Sequence, residues 1–166
     1  RSVELSDRKP DQLREAAAIK AIECYAAESR NWTDLADVLM TKAGIFYDRR
    51  EYENAIRSCD HAASAVQKAA EASKMFFPHS DEADRMQYQR RLAMILGVKA
   101  RAEFRSGQLK EAIIDKKRAI EIKKTSKKGI DTTRDEMWLS KYNRELLLQT
   151  VMTTLLKSIL DLVELH

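Results

Sequence analysis

Only four glycines and two prolines punctuate this chain of 166 residues, and that scarcity restricts its fold more than any other feature. A β-sheet needs frequent tight turns, and no window alternates apolar and polar residues with β-branched enrichment over a strand's length. Apolar residues recur instead at steps of three and four, the spacing of one helix face. With 44% hydrophobic and 34% charged residues, the chain has enough apolar material to bury a continuous core. The expectation is an all-α protein forming a single domain, 1–166.

The periodicity predicts about six helices. The first runs from about Pro10 to Ser29, and "SRNWTD" breaks it. Asn31 or Thr33 can cap the second, about 33–49. A long third helix carries Tyr52, Ala55, Ile56, Cys59 and Ala62 as far as roughly Met75, where "FFPHSDE" ends it through Pro78. The fourth runs from about Asp81 to Ser106 and stops at Gly107, and the fifth spans about 109–125. Thr133 followed by Glu136 has the spacing of a capping box, opening a long sixth helix over 135–165.

Charge and cysteine content narrow the function classes. The formal net charge is +4, but it is uneven: Lys99 to Lys128 holds eleven Lys or Arg against four acids. Two cysteines inside predicted helices, Cys24 and Cys59, point to a reducing compartment and not to a disulfide framework. No apolar run reaches membrane-spanning length and no signal peptide is visible. The start "RSVEL", without methionine, suggests a piece excised from a longer protein. The expected location is cytoplasmic, with a nuclear one as the alternative.

Two stretches echo each other. "REYENAIRSCDHA" (50–62) returns as "GQLKEAIIDKKRA" (107–119), with Ala55-Ile56 matching Ala112-Ile113 and Ala62 matching Ala119. These stretches resemble the tetratricopeptide (TPR) repeat, a helical hairpin with small residues where helices touch. Leu39, Ala43, Phe46, Ala55, Cys59 and Ala62 fall on the family's packing positions, as do Leu96, Ala100, Ala112 and Ala119. "FRSGQLKEAI" carries the family's turn glycine and Leu-x-x-Ala-Ile opening. Departures are Lys42 and Lys99 in place of leucine, Glu103 in place of tyrosine, Lys116 in place of an aromatic, and no closing proline. The spacing from Ala55 to Ala112 is 57 residues where the family has about 34. The resemblance covers residues 36–124 and implies a right-handed TPR-like array of stacked antiparallel hairpins, with unusually long third and fourth helices.

No catalytic constellation is evident. His61, His79 and His166 form no H-x-x-x-H pair, the cysteines form no C-x-x-C, and no glycine-rich phosphate loop or G-x-S-x-G elbow occurs. The expectation is therefore a noncatalytic module without metal or cofactor. The resemblance implies a concave groove for a partner peptide or helix, lined by Asp37, Met40, Gly44, Tyr47 and Asp48 from one unit. From the other it implies Met94, Gly97, Arg101, Phe104 and Arg105. Met40 and Gly44 replace the Lys and Asn with which chaperone-binding relatives grip a terminal carboxylate, so that activity is not expected.

Two other surfaces offer alternatives. The basic face, Lys116, Lys117, Arg118, Lys123, Lys124, Lys127 and Lys128, could dock an acidic partner, anionic lipid or nucleic acid. Aromatics for base stacking are absent between Phe104 and Trp138, and nucleic acid and lipid are not favoured. The second half of the last helix, "VMTTLLKSILDLVELH", is apolar at more positions than one neighbour can cover. Leu148, Met152, Leu155, Ile159 and Leu162 make it a candidate for capping the array, for self-association or for holding a partner helix. No long strict heptad is evident there.

Overall fold

The turn that opens each echoed stretch is built the same way. The computed structural model describes residues 31–76, 82–126 and 131–164, with Ala17, Lys20 and Cys24 also helical. Five helices are described: α1 (Trp32–Asp48), α2 (Tyr52–Phe76), α3 (Glu82–Ser106), α4 (Leu109–Ser126) and α5 (Thr133–Glu164). No strand occurs among the described residues. The helix expected over 10–29 lies outside them apart from those three positions, as do Pro78, His79, Ser80 and the Lys127–Lys128 pair.

α1 opens on Asn31, whose side-chain oxygen accepts the Asp34 N–H at 3.3 Å, so of the two expected caps it is Asn31 that acts. At its end, Arg50 takes φ 62°, the Glu51 N–H donates to Phe46 C=O at 2.9 Å, and the Arg50 N–H donates to Tyr47 C=O at 3.0 Å. Those two bonds are the six-to-one and five-to-two closures of a Schellman motif, satisfying carbonyls that the helix leaves open. α3 ends identically, 57 residues on. Gly107 takes φ 88°, Gln108 N–H donates to Glu103 C=O at 2.8 Å, and Gly107 N–H to Phe104 C=O at 3.4 Å. Ala55 and Ala112 then each donate to the carbonyl four residues back, both at 3.0 Å. The sequence echo is thus a repeated turn geometry.

The chain divides into two compact units, 1–88 and 89–166. In the first, α1 packs along α2 through Leu35, Ala36, Leu39 and Ala43 on one side and Ala55, Cys59, Ala62 and Val66 on the other, all buried. Alanine at these positions lets the two backbones approach closely. In the second, Ala100 of α3, Ala112 and Ile113 of α4 and Tyr142 of α5 form a buried cluster against which Phe104, Trp138, Leu139 and Leu146 pack. The rings of Phe104 and Tyr142 stack at 4.5 Å.

Candidate functional site

Position along α5 decides what its side chains meet. Leu139, Tyr142 and Leu146 recur at steps of three and four and face the α3–α4 cluster. Continuing those steps past Leu146 leads to Thr150, Thr153 and Lys157 and then to Leu160, so the face that packs inward in the first half is mostly polar in the second. Threonine and serine hydroxyls along this half of α5 bond back to their own helix. Thr150 donates to Leu146 C=O and Thr153 to Gln149 C=O, both at 2.8 Å, while Ser158 donates to Thr154 C=O at 3.1 Å. Those hydroxyls are satisfied within α5.

Most of the apolar residues lie away from that side, Leu160 being the exception in line with Tyr142. At about 100° per residue, Leu148, Met152, Leu155 and Ile159 point about 140° away from the direction of Leu139, Tyr142 and Leu146. From Leu147 to Leu160 the large apolar side chains are 47% to 63% exposed, the exposure of a helix that nothing covers. Every described residue from Leu147 to Asp161 is exposed. The Leu162 side chain lies outside the described residues.

The same face carries different chemistry in the first half of α5. A shallow groove there is lined by Arg134, Met137, Trp138, Lys141, Arg144 and Glu145. Lys141 Nζ lies 4.9 Å from the Trp138 ring and 5.6 Å from that of Phe104, cation–π distances that hold it over the aromatic pair. The apolar row of the second half therefore continues toward the N-terminus as an aromatic and cationic groove. Sequence reasoning singled out Leu148, Met152, Leu155 and Ile159 but missed Trp138 and Lys141. Their spacing from Glu145 and Leu148 was the available signal.

Within the expected basic face, Lys116 is buried and three lysines hold carboxylates. Lys116 is 3% exposed, and its Nζ meets Asp135 Oδ1 at 2.5 Å while Lys123 Nζ meets Oδ2 at 2.6 Å. Burial alone would raise the Asp135 pKa, but hydrogen bonds and charge from these two lysines outweigh it and hold the carboxyl below its ordinary range. Lys124 pairs with Glu136 at 2.8 Å, and Lys99 with Asp115 at 3.1 Å. Much of the basic segment is neutralised inside its own unit, because α5 opens with acids beside α4. Lys117 and Arg118 remain exposed.

The start of α5 also differs from expectation. The helix begins at Thr133, preceded by Asp131, whose carboxylate accepts the Thr133 N–H at 2.8 Å, and by Thr132, whose hydroxyl donates to Glu136 Oε1 at 2.9 Å. The cap sits one position earlier than the Thr133–Glu136 pairing.

The residues expected to line a groove fall in separate units. Asp37, Met40 and Tyr47 lie on α1 in the first, with Asp37 exposed and the other two half-buried. The Tyr47 ring meets that of Tyr52 edge-on at 5.6 Å. Met94, Arg101 and Arg105 are exposed on α3 in the second. Phe104 is corrected from groove to core flank, since its ring stacks on buried Tyr142. Among the described residues no cluster of His, Cys, Asp or Glu could hold a metal, and no helix is long and apolar enough to cross a membrane. Neither cysteine is in a disulfide; Cys59 is buried and Cys24 exposed. No family model, curated protein or solved structure matches the chain.

Proposed function

We propose that the chain is a noncatalytic protein-association module in which TPR-like hairpins present one long helix, α5, to a partner helix. The observation that carries this reading is the uninterrupted exposure of Leu147, Leu148, Val151, Met152, Leu155, Leu156, Ile159 and Leu160. Contiguous apolar surface of this kind marks an interaction site, and ridges at steps of three and four suit another helix. Thr150, Thr153 and Lys157 make the opposite side mostly polar, which gives the row of Leu148, Met152, Leu155 and Ile159 a defined direction. The repeated Schellman turns 57 residues apart support the hairpin half of the proposal.

Docking through the basic face is less well supported, since Lys116, Lys123 and Lys124 already hold carboxylates. Peptide capture in a groove retains the α1 stripe of Asp37, Met40 and Tyr47, where a Cβ added at Gly44 would meet nothing within 4 Å. Two variants separate these readings. Leu148→Glu with Leu155→Glu should abolish partner capture at unchanged fold, whereas Met40→Ala with Tyr47→Ala should leave it intact. The reverse pattern would move the function to α1.

A further inference from the structure

We infer that the occupant of the α5 face is the α5 of a second copy, paired antiparallel. This rests on the proposed association role and names its partner. Leu148, Met152, Leu155, Ile159 and Leu162 alternate steps of four and three over two heptads, the register that keeps a seam facing a neighbouring helix. Val151 and Leu156 flank that seam on either side, so the row of knobs has apolar shoulders.

Area and charge both suit a second copy. Six side chains, Leu148, Val151, Met152, Leu155, Leu156 and Ile159, expose roughly 100 Å² each, giving roughly 1,200 Å² over two copies, the lower bound of a specific interface. Lys157 is the one charged residue between Leu146 and Leu160, and it lies on the far side of the helix. Two identical seams therefore meet without like-charge repulsion. A closed two-fold pair is also the commonest arrangement of identical chains.

Orientation follows from the residues preceding the apolar row. Extending the register backward places Glu145, Lys141 and Trp138 on the seam, and these line the described groove. In a parallel pair each Glu145 would face Glu145 of the second copy, and each Lys141 its own counterpart. Like charges directly opposed in a seam are destabilising. Antiparallel pairing centred between Met152 and Leu155 instead sets Leu148 opposite Ile159 and Met152 opposite Leu155, and moves each Glu145 and Lys141 away from its own counterpart.

The test uses the whole chain. Sedimentation equilibrium should give twice 19.1 kDa, and Leu155→Glu should raise the dissociation constant at least ~100-fold. Direction is read by oxidative cross-linking in a Cys24→Ser background, where Cys59 stays buried. A disulfide dimer should form only when Leu148→Cys chains are mixed with Ile159→Cys chains. Cross-linking of either variant alone would establish parallel pairing and overturn the orientation, and a trimer or larger assembly would overturn the two-stranded pairing. A monomer at ~100 μM removes the second copy as occupant, that range being the weak limit for a stable complex. Amide exchange of 147–160 in that monomer then separates the two proposals. Fast exchange leaves the face open for a different helix, while slow exchange means that the chain covers it itself and the association role falls as well.

Discussion

Glu103→Gln should stabilise the second unit at alkaline pH and have little effect in acid. Glu103 is 2% exposed, and its Oε2 has no hydrogen-bond partner. Lys99 Nζ lies 3.6 Å from Oε1 but 3.1 Å from Asp115, so the ammonium is shared with a second carboxylate. Burial, followed by the negative charge of Asp115, raises the Glu103 pKa from 4.5 to about 7, and Lys99 offsets only part of this. The folded state therefore holds a proton that the unfolded chain releases across that window. Stability is fully retained below pH 4.5 and is lost as pH rises through about 7. At ~1.4 kcal/mol per pH unit, the loss is on the order of 3 kcal/mol by pH 8. Glutamine has the same shape, stays neutral and can donate to Asp115 as the protonated acid does. Urea unfolding at pH 4.5 and 8 should show the variant gaining ~2–3 kcal/mol over the parent at pH 8 and roughly nothing at pH 4.5. A pH-independent difference, or a variant less stable at pH 8, would refute the argument and mean that Lys99 keeps Glu103 ionised.

Arg50 holds a left-handed conformation that costs a non-glycine residue about 1 kcal/mol, so Arg50→Gly should raise the unfolding free energy by about that much. Gly107→Ala should lower it by ~1–2 kcal/mol, and thermal unfolding reads both. Asp135→Ala strands the buried Lys116 ammonium and should cost ~3–5 kcal/mol in urea unfolding. Lys124→Ala removes only an exposed pair and should change stability by less than ~0.5 kcal/mol.

The helices were legible because a face recurring at three and four survives any tertiary arrangement, and the described ends fall within one or two residues of expectation. Helix pairing at the two echoed turns was legible from Ala55-Ile56 and Ala112-Ile113. What escaped was which charges find partners. Lys116 stands among Ala112, Ile113, Ala119 and Ile120 on the buried stripe of α4, and that placement already implied a buried ammonium. Its acceptor, Asp135, is 19 residues away on another helix, and no local pattern links them. Phe104 read as a groove residue for the same reason, because Tyr142 lies on α5.

These internal charge pairs also bear on how α5 acts. Asp135 and Glu136 tie its first turn to Lys116, Lys123 and Lys124 of α4, and Trp138, Leu139, Tyr142 and Leu146 seat the next three turns on the α3–α4 cluster. A free amphipathic segment as short as 147–160 would be marginally helical in water and would have to form its helix on binding. Continuous with an anchored helix, it needs no nucleation. The ordering cost of association falls accordingly, and the apolar face is already oriented when a partner arrives. Loosening the anchor through Tyr142→Ala should therefore weaken association even though Tyr142 is buried and lies outside the seam. A seam that worked as an independent peptide would bind equally well with or without Tyr142, and comparing the affinities of the parent chain, the Tyr142→Ala variant and a 147–164 peptide decides between the two.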